Sequence, residues 1–227
     1  MALLGRAIVF ILFDRAPGTV EDFYTWHDGE HMPERLAIPG FLRGRRFHIV
    51  DDGPQFMTIY EAAEINVFTG PEYLRRLNHP TPLSRKIGPL ARNNSRGVCS
   101  IIKSITNHGT GSAFVLIRFT CHDLHALEHQ LSDLESILHN KIGFYGLHLC
   151  TTSHAASTIE VEEKKNREIS IPDSFLLIEG NQINNVLSIA NQFIEIINSK
   201  YPDMLTNIEK LAYLLEVTHS PPSLRNC

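Results

Sequence analysis

The chain has 227 residues, 43% of them hydrophobic and 20% charged, which excludes collagen-like and disordered classes and leaves room for one large domain or two small ones. The net charge of −4 argues against nucleic acid as a partner. No apolar run approaches the ~20 residues that span a bilayer, so no membrane segment is read.

Charge is unevenly spread. Residues 1–108 hold 13 Lys+Arg against 11 Asp+Glu, and residues 109–227 hold 8 against 14, so the halves carry +2 and −6. Eleven of the first half's cations are arginines, the preferred fork for carboxylate and phosphate groups. Only Arg6 precedes the first apolar run, and Asp14 and Arg15 stand where cleavage-site residues belong, so no signal peptide is read. The expectation is a cytoplasmic chain with Cys99, Cys121, Cys150 and Cys227 reduced.

In chain order, Arg6–Phe13 is a strand, its continuous apolar run typical of a strand buried on both faces. Ala16-Pro17-Gly18 turns, Thr19 caps, and a helix covers Val20 to Met32 before stopping near Pro33. Phe41–Val50 and Gln55–Ala63 form a hairpin about the Asp51–Pro54 turn. Glu72–Leu77 is helical, a short helix resumes over Leu83–Ala91, and Arg96–Thr106 is a strand. After the break at Asn107–Gly111, the order repeats: strand Ala113–Cys121, helix His122–His139, strand Ile142–Thr152, a polar stretch Ser153–Asp173, strand Ser174–Gly180, helix Ile183–Tyr201 and strand Ile208–His219.

Two βαββαβ units in tandem predict an α+β fold: two ferredoxin-like domains, 1–107 and 112–227, packed sheet to sheet as a pseudo-dimeric α+β barrel with the helices outside. An exposed sheet face is unstable alone, and each half supplies the other's cover.

The segment Trp26–Arg35 carries the chemistry. At ~100° per residue, Phe23, His27, Glu30 and His31 share one side of the first helix, with Trp26 at its edge. Imidazoles and a carboxylate on a sheet-facing side imply a wet cavity or a satisfied buried network. His27–His31 also fits the H-x-x-E-H zinc pattern, but Gly29 and Pro33 weaken the helix and a third ligand is not evident, so no metal is assigned. His48 and Tyr60, from the hairpin, are further acid–base candidates, because both side chains donate and accept hydrogen bonds. Arg46, Trp26, His79 in its proline-flanked loop, and Phe10 on the first strand make up the substrate-binding set. His122, His125 and His129 lie opposite the leucine stripe of their helix and face solvent.

The run from Trp26 to Phe47, with His27, His31-Met32-Pro33, Arg35, Ile38-Pro39-Gly40-Phe41 and Arg45-Arg46-Phe47, resembles the EthD-like branch of the dimeric α+β barrel superfamily. The resemblance covers about the first hundred residues, and the second half matches only in element order. It implies a pocket between helices and sheet, with the family's helix histidine carried over onto His31.

The functional expectation is a small-molecule enzyme, a lyase or isomerase, using histidine acid–base chemistry without an organic cofactor. It would decarboxylate, cyclise or isomerise an anionic aromatic or polyketide-like substrate. His31 would be the base or acid, oriented by Glu30 or His27, with Tyr60 or His48 donating to an oxyanion and Arg46 holding a carboxylate. The alternatives are a metal- or haem-dependent enzyme and a non-catalytic ligand-binding module. The chain would act as a monomer with an internal pseudo-dimer, or as a homodimer.

Overall fold

Alternation along the first strand sets the geometry. In β1 (Ala7–Arg15), Ile8, Phe10 and Leu12 point one way and Val9, Ile11 and Phe13 the other, and both sets are packed. The computed structural model, which describes residues 2–222, supplies the two kinds of cover such a strand needs: a barrel interior on one side and helices on the other.

The remaining elements follow in order. A helical segment comprises α1 (Val20–Trp26), a π-helical turn (His27–His31) and α2 (Met32–Leu36). Next come β2 (Phe41–Ile49), β3 (Phe56–Ala62), α3 (Pro71–Asn78), α4 (Pro82–Ile87) and β4 (Ala91–Thr106). Beyond the break stand β5 (Ala113–Cys121), α5 (Leu124–His139), β6 (Phe144–Thr152), α6 (His154–Ser157), β7 (Ile169–Ser170), β8 (Phe175–Gly180), α7 (Ile183–Lys200) and β9 (Leu205–His219).

The strands pair in the order β1-β3-β2-β9-β5-β8-β6-β4, and β4 returns to β1, so the sheet closes. Every pairing within this ring is antiparallel. The strand order within residues 7–106 is β4-β1-β3-β2, and within 113–219 it is β9-β5-β8-β6: fourth, first, third, second in each. The halves do not merely face one another. They are hydrogen-bonded along two seams, β2 with β9 and β4 with β6, which removes the free edges an open sheet would leave.

The barrel interior is apolar at its centre, where Phe10, Phe47, Met57, Phe114, Phe175 and Tyr213 meet. Arg43, Arg45 and Glu61 of the first half and Glu179 of the second form a buried ion cluster inside it. Glu61 accepts from Arg43 Nε and Arg45 Nε at 2.9 Å each, and Glu179 accepts from Arg45 Nη1 at 3.3 Å and from Gly111 N at 2.7 Å. Two of the arginines that dominate the first half are thus neutralised inside the barrel.

Outside the barrel the halves differ. Helices α5 and α7 cover the second half with one continuous apolar layer. Over the first half that layer is split into two clusters, one around Met32, Tyr60 and Tyr73, the other around Phe23, Trp26 and Phe56. Polar side chains lie between them.

Three local features depart from the sequence expectations. The first helix does not end at Pro33. It widens into a π turn, closed by Met32 N bonding His27 O, and runs on to Leu36. Pro33 lacks an N–H, and it sits just after the π turn, inside a helix that continues to Leu36. Strand β4 begins at Ala91 rather than Arg96, because its first half pairs with β1. Residues 153–173 are not a passive linker: they cross over the first half, and β7 pairs in parallel with Asn94 and Ser95. Cys99 and Cys150 are buried and Cys121 half-buried, all free thiols, while Cys227 lies outside the described residues. No helix among the described residues is long and apolar enough to cross a membrane.

Candidate active site

The gap between the two apolar clusters is a cavity of about 80 Å³. Its floor is the outer face of β1, β3 and β4, contributing Val9, Ile11, Thr58, Tyr60, Asn94 and Arg96. The helical segment 20–36 forms one wall through Trp26, His27, His31 and Arg35. The strap 153–173 of the second half closes it with Glu163, Lys164, Arg167 and Ile169.

The π turn places the histidines. His27 and His31 both point inward, with ring centroids 5.7 Å apart, and His31 packs on the Trp26 indole at 4.3 Å. Nδ1 of His27 lies 2.9 Å from Arg46 Nη1. A guanidinium can only donate, so Nδ1 is the acceptor and the neutral ring carries its proton on Nε2. That Nε2–H faces the Tyr60 hydroxyl at 3.3 Å. Tyr60 then accepts from His27 and keeps its own proton for a partner in the cavity. Burial, then the charges of His31 and Arg46, push His27 well below the ordinary imidazole range. Burial, then Arg35 and Arg167, do the same for His31. Burial raises the Tyr60 hydroxyl, so it stays protonated.

Cations dominate the walls. Arg15, Arg35, Arg96, Lys164 and Arg167 line the cavity against the single carboxylate of Glu163. Glu163 accepts from Arg35 Nη2 and lies 4.0 Å from His31 Nε2. Arg96 donates to the Tyr73 hydroxyl at 2.8 Å, and Arg167 to Asn94 Oδ1 at 3.2 Å. Burial, then Arg167, lower Arg15 to about 10; burial, then Arg96, lower Lys164 to about 8. Five buried polar atoms of the lining make no hydrogen bond: Arg15 Nε, Arg35 Nη1, Arg167 Nε, His31 Nδ1 and Thr58 Oγ1. Three of the five can only donate.

Of the residues proposed from the sequence, His27, His31, Tyr60 and Trp26 come together in this cavity. The other five do not line it. Glu30 turns toward α4, where it accepts from Thr81 Oγ1 and from Ser84 Oγ at 3.4 Å, while Ser84 Oγ also takes the Trp26 indole N–H at 3.0 Å. Arg46 lies behind His27, held by Asp28 and by Glu216 Oε2 at 2.7 Å. The His48 side chain is 45% exposed, near Glu216. His79 is exposed and donates back to Arg75 O at 2.9 Å. Phe10 is in the barrel interior, its ring 4.4 Å from that of Phe175. Arg35 stands in the motif that carries the family resemblance and Arg15 and Arg96 belong to the first half's surplus of arginine, but Lys164, Arg167, Glu163 and Tyr73 have no local signature in the sequence.

Among the described residues no three His, Cys, Asp or Glu side chains assemble as a metal site. At about 80 Å³ the cavity is smaller than the ~150 Å³ void that takes a benzene ring, so as it stands it does not fit a porphyrin.

No family model matches the sequence, and no curated protein matches it. Solved structures resemble it in fold across nearly the whole chain. An anthrone oxidase-like protein shares 8% identity over 95% of this chain and 93% of its own, with a TM-score of 0.61. A candidate monooxygenase from Lactobacillus acidophilus NCFM shares 12% over 95% and 97%, at 0.57. A double mutant of the chlorite dismutase from Candidatus Nitrospira defluvii shares 10% over 93% and 91%, at 0.56. The likeness is one of fold, that of the dimeric α+β barrel.

Proposed function

We propose that the cavity is the active site of a small-molecule enzyme that acts on an anionic substrate by histidine acid–base chemistry. The carrying observation is the set of buried groups in its lining that make no hydrogen bond, dominated by donor-only guanidinium nitrogens. Donors without acceptors call for a ligand rich in acceptors, and five cations facing one carboxylate call for negative charge.

His31 is the acid–base residue. Its depressed basicity keeps the ring neutral at pH 7, the form that accepts a proton, and its Nδ1 is free to do so. The Tyr60 hydroxyl donates to the oxygen on which charge develops, and His27 and Arg46 fix its direction. Abstraction of a proton beside a carbonyl, with the enolate held by Tyr60 and the arginines, serves a cyclisation or an isomerisation, and the same groups would hold the enolate left by a decarboxylation. An enolate is also electron-rich enough to give two electrons to dioxygen as the oxidant, and the fold neighbours' oxidase and monooxygenase names favour that as the second reading.

The strand order of each half supports reading the chain as two ferredoxin-like domains related by a pseudo-two-fold, with the site in the first. One chain then supplies both halves of the barrel, as a monomer or within a homodimer. The His31-Met32-Pro33 and Pro39-Gly40-Phe41 steps support the EthD-like branch.

The test is a titration with propionate, small enough for the cavity, against its neutral isostere propionamide, at constant ionic strength. Binding of the carboxylate alone is the expected result. Equal affinity for the two, or no binding of either, overturns the reading.

A further inference from the structure

The one carboxylate in the cavity does not belong to the half that builds the site. Glu163 sits 128 residues from Arg35 in sequence, on a three-residue 3-10 turn (Glu162–Lys164) in the strap of the second half. Its side chain is 15% exposed and points inward, while Glu162, Lys165 and Asn166 around it face solvent.

The strap is pinned on both sides of this turn. Before it, Val161 is buried against the first half, and Lys164 Nζ returns to cap Ser157 O at 2.7 Å and Ile159 O at 2.9 Å. After it, Ile169 and Ser170 pair with β4. Between these anchors the Glu163 side chain is held by Arg35 and His31, while the turn's own backbone bonds, a bond from Glu162 N to Asn78 Oδ1 at 3.2 Å and one from Arg167 Nη1 to Glu163 O at 3.4 Å tie it down without a strand ladder. A second, open basin of about 610 Å³ adjoins the strap and shares Lys164, Arg167 and Ile169 with the inner cavity.

We infer that the Glu163 carboxylate occupies the subsite of the ligand's own carboxylate, and that the ligand is a carboxylic acid which displaces it and frees the strap to open. This rests on the anion-pocket reading above. The exchange is isoelectric: one carboxylate leaves Arg35 and His31 as another arrives, so the cationic wall is never bare. A neutral ligand lacks that compensation and leaves Arg35 paired with Glu163. The displacement also answers the mismatch in size. At about 80 Å³ the cavity is too small for an aromatic ring, but withdrawal of the strap joins it to the basin outside. Glu163 thereby selects for carboxylates by competing with them.

The probe is benzoate, with benzamide as the neutral control, on the full chain and on Glu163→Gln. Amide hydrogen exchange over residues 158–168 should quicken when benzoate binds the unaltered protein, and benzamide should leave it unchanged. Benzoate should bind Glu163→Gln about tenfold tighter, because the competent state no longer has to displace a resident carboxylate. Binding of benzoate with no change in strap exchange and no gain in the variant overturns the inference. Binding of propionate without benzoate also overturns it, yet leaves the anion pocket standing. Failure of both carboxylates removes the pocket reading as well. If Glu163→Gln does not fold, the exchange measurement on the unaltered chain decides alone.

Discussion

Arg46 donates to Nδ1 of His27 at 2.9 Å, and this bond fixes what the cavity receives from Tyr60. Arg46 lies on the outer face of β2, its guanidinium over the Tyr24 ring at 4.5 Å and paired with Asp28 and Glu216. It is therefore a positioning residue, not a contact for substrate.

Replacing it separates the two roles. Arg46→Ala should cost about 2 kcal/mol of stability, less than a fully buried pair because Asp28 is partly exposed. It should also free the His27 ring to flip, weakening the directed Tyr60 hydroxyl and lowering kcat more than it raises KM. Arg46→Lys should not restore activity, since an ammonium lacks the fork that reaches Asp28, Glu216 and His27 together. Full kcat in a folded Arg46→Ala protein removes the relay.

His31 makes no hydrogen bond through Nδ1, and through Nε2 it reaches only toward Glu163 at 4.0 Å. Its removal leaves few partners unsatisfied. His31→Ala should lower kcat by ~10²–10⁴ on any substrate the unaltered protein turns over, with a modest change in Tm. A stable variant with full activity takes His31 out of the chemistry.

The buried histidines also set an acid limit. His27 and His31 are held well below the usual 6.5, and burial, then Arg45 and Arg43, lower His148 to about 3. Below pH 6.5 the unfolded chain takes up protons that the folded chain refuses, so stability falls as pH falls. Above it the contribution is level. Each group should cost about 1.4 kcal/mol between pH 7.5 and 5.5. Urea unfolding at the two pH values measures the sum, and a flat profile means that these rings are not buried neutral.

What the sequence carried was local. Strand alternation and the leucine stripe of α5 fixed the element order in both halves, and the helix face predicted from Trp26 to His31 brought His27 and His31 into the cavity. The π turn was hidden, because Pro33 looks like a helix end when the widened turn before it is not seen to carry the helix on to Leu36. Glu30 was misdirected by the same cause: the wider turn re-phases the helix and hands its carboxylate to Thr81, which caps α4, and to Ser84 within it. The Arg35–Glu163 pair spans the two halves, and residues 153–173 read as a polar linker until β7 is seen to dock on β4. The arginine surplus was visible, but its division between the barrel interior and the outer face of the sheet depends on strand parity at Arg43, Arg45 and Arg46.

Parity is also why Phe10 could not be placed. β1 is apolar on both faces, so either set of side chains could have faced the helices. Phe10 faces inward, fully buried, its ring 4.4 Å from Phe175 of the other half. Val9 and Ile11, one position either side, line the cavity. Phe10→Ala should therefore cost ~3–5 kcal/mol, the range for an aromatic deleted from a packed core, and loosen the contact between the halves. It should leave the affinity for a small carboxylate nearly unchanged, because the cavity wall on the opposite face of β1 keeps its side chains. Ile11→Ala should do the reverse: a smaller loss of stability from a half-buried side chain, with a clear change in ligand affinity. Denaturant unfolding and carboxylate titration on the two variants read both effects, and a Phe10→Ala protein that keeps its stability but loses ligand would reverse the assigned faces of β1.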